Sequence, residues 1–166
     1  MTAPSNTTPV IDGWFTTGEE PRLVASRCTR CSNVVFPPVS SDAGAAAFFC
    51  RNPACDGDEY DAVELSRTGT VWSYTDAQYQ PPAPYIAPTD PFQPFALAAV
   101  ELPEGIVVLG QVADGYGVAD LRVGAEVELV VETLNVDETG ERTIYRWKPV
   151  SRLAGSRTST TEEVGA

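Results

Sequence analysis

A mainly β chain is predicted, with a short N-terminal helix and a rubredoxin-like zinc ribbon followed by a five-stranded OB-fold barrel. Three observations predict it. The four cysteines of the chain stand at 28, 31, 50 and 55, spelling C-x2-C-x18-C-x4-C, and close Cys pairs on tight turns can deliver two thiolates each to one tetrahedral metal. The 14 Pro and 13 Gly among 166 residues leave few stretches able to run as a helix. Beyond residue 62, five apolar or alternating stretches are separated by turn residues, with a loop or short helix after the third, which is the arrangement of a small closed barrel.

The elements follow in order. Residues 1–7 are small and polar and read as a tail. Thr8-Pro9 is a helix start, a cap followed by Pro at the first helical position, with Val10, Ile11, Trp14 and Phe15 on one face and Gly18 as the stop. That apolar face must pack on the ribbon or on a partner. A strand over 22–27 leads into the first Cys pair, and Val34, Val35 and Phe36 return before Pro37-Pro38 stops them. Residues 40–47 form a small, flexible loop between the pairs, and 56–61 an acidic turn. The barrel strands are expected at 71–75, 95–102, 106–112, 127–134 and 143–147, with a hairpin over Pro103-Glu104-Gly105 and a turn at residues 137–140. Between the first two of them, residues 78–94 hold six prolines in seventeen residues together with Tyr79, Tyr85, Ile86 and Phe92. Such a stiff loop is either a contact arm or a strap over the barrel's end. Residues 154–166 read as a disordered tail. The domains are therefore 1–21 (tail and helix), 22–62 (ribbon), 63–153 (barrel) and 154–166.

Cys28, Cys31, Cys50 and Cys55 are the metal ligands this reading assigns, for a structural zinc; iron is the other metal four thiolates accept. Arg30 and Arg51, beside Cys31 and Cys50, offset the charge of such a centre, and Asn52-Pro53 suits a turn that aims amides at sulfur. Two disulfides could use the same four residues, but the chain opens without a charged and apolar leader that would direct it to an oxidising compartment, so a cytoplasmic location is expected. A redox Cys-x-x-Cys is the other rival, and it lacks the strand and long helix that would position it.

Composition narrows the function. With 23 Asp and Glu against 11 Lys and Arg, the formal charge is −12, which opposes nucleic-acid binding. No apolar run approaches the roughly 20 residues that span a bilayer. There is no His, so the commonest general base and the usual triads are missing. Glu64, Asp76 and Asp114 are carboxylates that chemistry could use, but nothing in the sequence places two of them together. No catalytic residue is assigned.

Several stretches together resemble a known family over about 14–149. They are Cys28-Thr29-Arg30-Cys31 with Phe36-Pro37-Pro38, Gly69-Thr70-Val71-Trp72-Ser73-Tyr74-Thr75, residues 95–102, Val108-Leu109-Gly110-Gln111-Val112, and Leu121-Arg122-Val123-Gly124 ahead of 127–134. The family is that of zinc-ribbon plus OB-fold proteins found beside thiolase-superfamily and lipid-transfer-protein-like enzymes of acyl-CoA metabolism, long catalogued as a domain of unknown function. The resemblance implies a non-catalytic subunit in a hetero-oligomer. It would dock on a thiolase or aldolase and help bind an acyl-CoA, with steroid side-chain thioesters as the substrates of the look-alikes. The eighteen-residue spacing and the four-residue second knuckle depart from the usual pattern. Cations for CoA phosphates would come from Arg27, Arg30 and Arg51 at the ribbon and from Arg146 and Lys148 at the barrel. The competing reading from a different class is a single-stranded nucleic-acid-binding module, since ribbons and OB barrels serve that role with basic grooves.

Overall fold

A computed structural model describes residues 7–39, 49–82, 87 and 89–151. Among them, nine strands form two sheets: β1 (Thr7–Pro9), β2 (Val24–Cys28), β3 (Val34–Val35), β4 (Tyr60–Glu64), β5 (Thr68–Ala77), β6 (Phe95–Glu101), β7 (Val107–Val112), β8 (Glu126–Asp137) and β9 (Gly140–Pro149). Residues 1–6 and 154–166 of the expected tails and the loop expected at 40–47, like Tyr85 and Ile86 of the Pro-rich stretch, lie outside the described residues, while Thr7, expected in the tail, opens β1.

The last five strands close on themselves. Starting from β5, the order is β5, β6, β7, β9, β8 and back to β5, with β7 and β9 parallel and the other pairs antiparallel. This first-second-third-fifth-fourth order with one parallel pair is that of an OB barrel, and a single 3-10 turn at Val118–Asp120 occupies the connection after the third strand. Alternation fills the interior: Val71, Ala96, Ala98, Val100, Val108, Val112, Val127, Leu129, Tyr145 and Trp147 are all buried. A bulge between Val71 and Ser73 interrupts the simple alternation expected in β5, so that Ser73 and Thr75 pair with Ala99 and Leu97.

The ribbon is a three-stranded sheet in the order β3-β2-β4. Residues 56–61, expected as a turn, include the start of β4, which pairs with all five residues of β2. Among the described residues the N-terminal helix is absent. Thr7–Pro9 instead lies parallel to β9, Val10 N donates to Thr143 O at 2.9 Å, and residues 14–16 pair with 22–24 through Val24 N to Trp14 O and Thr16 N to Arg22 O. A Thr-Pro pair suits an edge strand as well as a helix start, because proline's missing N–H faces away from the ladder there. The ladder along β9 won.

Trp14 and Phe15 pack within the chain. Phe36 takes Trp14 edge-on at 5.4 Å, and Tyr145 takes Phe15 at 5.8 Å and Phe36 at 6.3 Å. With Leu23, Ala25 and Leu65 they join ribbon and barrel in one apolar core. The linker is pinned as well, since Glu104 Oε1 accepts from Ser66 N at 2.6 Å and from Ser66 Oγ at 2.8 Å.

Gly110 lets the β9 aromatics cross β7. A Cβ there would lie 2.9 Å from the Trp147 ring and 3.0 Å from that of Tyr145, and Trp147 is fully buried. Gly110→Val is expected to lower stability by about 1–3 kcal/mol in urea unfolding. Gly117→Ala, at an extended φ of −140° with open space around it, should stay within about 0.5 kcal/mol of the parent. Equal midpoints for the two variants would refute this account of the barrel core.

Candidate metal centre and its surroundings

The first knuckle is built by the end of β2 and its return. Cys28 N donates to Asn33 O, Ser32 N donates to Cys28 O, and Ser32 takes a left-handed φ of 61° that turns the chain after Cys31. In the second knuckle, Cys55 N donates to Asn52 O, Ala54 N to Asn52 Oδ1, and Cys50 N to Gly57 O. The two turns bring the four Sγ atoms within 4.8 Å of one another. Cys28 and Cys55 sulfurs are 3.9 Å apart, and those of Cys31 and Cys50 are 3.5 Å apart. Sulfurs 2.3 Å from a tetrahedral ion would be separated by about 3.8 Å. The cluster therefore has the size such an ion needs, and none of the four is paired in a disulfide.

Backbone amides serve the sulfurs. Asn33 donates to Cys31, Asn52 to Cys50, and Gly57 N to Cys55 Sγ at 3.4 Å. The Asn33 amide draws the Cys31 thiol down to about 7 against the effect of burial. The Gly57 amide also favours a Cys55 thiolate, but burial and the neighbouring sulfurs outweigh it and push that thiol up to about 12. Four thiolates cannot share so small a volume unaided, and a divalent cation is what removes that conflict. Gly57 makes the approach feasible, since a Cβ there would stand 2.9 Å from Cys28 Sγ. Next to the cluster, burial and then the Cys50 and Cys28 sulfurs raise the Tyr60 phenol.

The cations divide into two groups. Arg27, Arg30 and Arg51 are exposed and flank the cysteines. Arg30 is ion-paired with Asp56, whose carboxyl it holds below the usual range. No side-chain hydrogen bond or ion pair engages Arg27 or Arg51 among the described residues, and Arg51 acts on the Tyr60 phenol only through its charge. On β9, by contrast, Arg146 is buried and bridges Asp114 and Glu132, the latter at 3.2 Å, while Lys148 reaches Glu128 at 3.1 Å. Arg146 lines a cleft of about 230 Å³ between the loop before β6 and the end of β7, alongside Phe95, Gln111, Asp114 and Tyr116. Neutralised from two sides, it offers no free charge to a phosphate. Arg67 is likewise tied to Glu128 at 3.4 Å, so no basic groove of the kind single strands require runs along these strands. Glu64, Asp76 and Asp114 are engaged separately, by Arg22, Gln78 and Arg146.

Comparison with known proteins agrees with this architecture. A family model described as "ChsH2, C-terminal OB-fold domain" matches residues 62–132. The chain is 28% identical over 134 residues to the benzoylsuccinyl-CoA thiolase subunit BbsA of Thauera aromatica, covering 80% of each chain. It is 29% identical over 146 residues to a DUF35 domain-containing scaffold protein of Methanocaldococcus jannaschii, covering 85% of this chain and 91% of that one. Among solved structures, one described as "Ltp2-ChsH2(DUF35) aldolase" superposes with a TM-score of 0.56 at 28% identity, over 78% of this chain and 86% of the other. Over residues 62–132, then, the chain is similar to the family described as ChsH2, C-terminal OB-fold domain.

Proposed function

We propose that this chain is an auxiliary, non-catalytic subunit that docks on a thiolase-fold enzyme, a thiolase or retro-aldolase, and helps hold its acyl-CoA substrate. The observation that carries the reading is similarity to a thiolase subunit across four fifths of both chains. The structural neighbour, an aldolase, supports the same class. The geometry is compatible: Glu64, Asp76 and Asp114 are engaged separately and the chain holds no His, which favours binding rather than bond-breaking as its part.

In this reading Cys28, Cys31, Cys50 and Cys55 hold a structural zinc. With all four positions filled by thiolate, the ion supplies rigidity and no open coordination site. It fixes the knuckles that carry Arg27 and Arg51, and these two guanidinium groups, without an ion pair among the described residues, take CoA phosphate oxygens as charge-assisted hydrogen bonds. A chain of charge −12 repels a polyanion at long range, so the remaining cations come from the enzyme subunit. The steroid side-chain CoA thioester is the first acyl group to test.

Three outcomes follow. Elemental analysis of the purified full chain should find about one zinc per chain, and Cys55→Ser should lose both the metal and the thermal transition of the ribbon; a protein equally stable after complete chelation would remove the zinc from the account. Co-produced with the thiolase-fold subunit, the chain should elute with it as a hetero-oligomer that cleaves the acyl-CoA, and the chain alone should be inactive. Within that complex, Arg27→Ala with Arg51→Ala should raise KM for the acyl-CoA by about tenfold, equivalent to about 1.4 kcal/mol, with kcat unchanged. Unaltered KM would place the CoA elsewhere.

A further inference from the structure

The strands β5, β6 and β7 present an apolar outer face that no described residue covers. Across them, Ser73 pairs with Ala99 and Ala99 with Leu109, while Thr75 pairs with Leu97 and Leu97 with Gln111. Leu109 is 58% exposed, Val107 46%, and Trp72, the extra residue of the β5 bulge, 61%. Beside Leu109 is a shallow concavity of about 80 Å³ lined also by Ser73, Tyr74, Thr75, Leu97 and Ala99. It has room for part of one inserted side chain.

The sequence of β6 is apolar at both registers. Ala96, Ala98 and Val100 fill the barrel, yet Leu97 and Ala99 on the other side are as apolar as the core. Strands that alternate apolar with polar face water on one side; strands apolar on both sides are built to be covered on both. An exposed Trp beside such a strand is the composition of an interface centre rather than of open surface.

One margin of this face is acidic. Thr70 pairs with Glu101 on one side and Glu126 on the other, and Val107 pairs with Glu101, so the two exposed carboxylates border the apolar rows. Neither has a cation partner among the described residues. A second copy would set this margin, and a charge of −12, against itself. The occupant the face fits carries an apolar projection flanked by Lys or Arg.

We infer that this outer face of β5, β6 and β7 is where the thiolase-fold enzyme subunit docks, its basic residues meeting Glu101 and Glu126 and an apolar side chain entering between Leu97, Ala99 and Leu109. The inference rests on the auxiliary-subunit reading and adds the surface. It also separates the docking face, on the barrel, from the metal centre, on the ribbon.

The test uses the full chain co-produced with the enzyme subunit. Leu109→Glu should weaken the hetero-complex by about 100-fold, as removal of a central interface anchor does, with circular dichroism and metal content unchanged. Val136→Glu, 74% exposed at the far end of β8, should leave the affinity as it is. In the otherwise unaltered chain, a photo-crosslinking amino acid at position 109 should join to the enzyme subunit at a site flanked by basic residues, a readout that survives even if Leu109→Glu fails to fold. A full-affinity complex with Leu109→Glu, or a crosslink to a second copy or within the chain, overturns this surface and leaves the auxiliary reading standing. If the unaltered chain forms no complex with any thiolase-fold subunit, both fall.

Discussion

Strand β9 is the constraint on which the molecule depends, and Tyr145 is a residue through which it acts on both modules. β9 closes the barrel between β7 and β8 and offers its edge to β1. The Tyr145 hydroxyl donates to Leu109 O at 2.9 Å, tying β9 to β7, and its ring receives Phe15 and Phe36 edge-on. Burial raises the phenol, which keeps the donor in place across the physiological range. One side chain thus joins barrel closure to the seating of the ribbon. The next residue works from the opposite side of the strand, where Arg146 draws Asp114 and Glu132 together.

Charge is distributed with a polarity that net charge conceals. Along the barrel strands, Arg67, Arg146 and Lys148 are tied to carboxylates. Among the described residues, the side chains of Arg27 and Arg51 have no ion-pair partner beside the cysteine cluster, and Glu101 and Glu126 have no cation beside an apolar face. These groups of opposite sign lie on different parts of the chain, the two arginines on the ribbon and the two carboxylates on the barrel. An assembly on one and a phosphate on the other need not compete, because each draws on different residues and each is screened separately by salt.

Much of this architecture was legible in the sequence, and the exceptions have physical causes. Continuous apolar runs such as 95–102 and the alternation of Tyr145 and Trp147 against Ile144, Arg146 and Lys148 announced the barrel, because burial on a fixed face leaves a period of two. The cysteine spacing announced the cluster for an equally local reason. β4 was hidden: Tyr60–Glu64 is mostly exposed and polar, and it is a strand because β2 offers it a ladder. The N-terminal helix failed on the same ground, since Thr8-Pro9 carries a local signal that a long-range pairing overrides. Nor could the sequence show that Arg146 is neutralised. Its partners stand 32 and 14 positions away, and only folding brings them to it.

The three residues of β1 have a consequence for how copies of the chain can meet. They lie parallel on β9 in register with Glu141, Arg142 and Thr143, and Pro9 contributes no N–H to that ladder. A cover so short is released at little cost, and its release uncovers the open edge of β9. Two copies with β1 detached can each lend that segment to the other's barrel, trading an intramolecular pairing for an identical intermolecular one. Exchange of this segment between copies would thus leave the barrel's own pairings unchanged, while the charge of −12 on each copy opposes their approach.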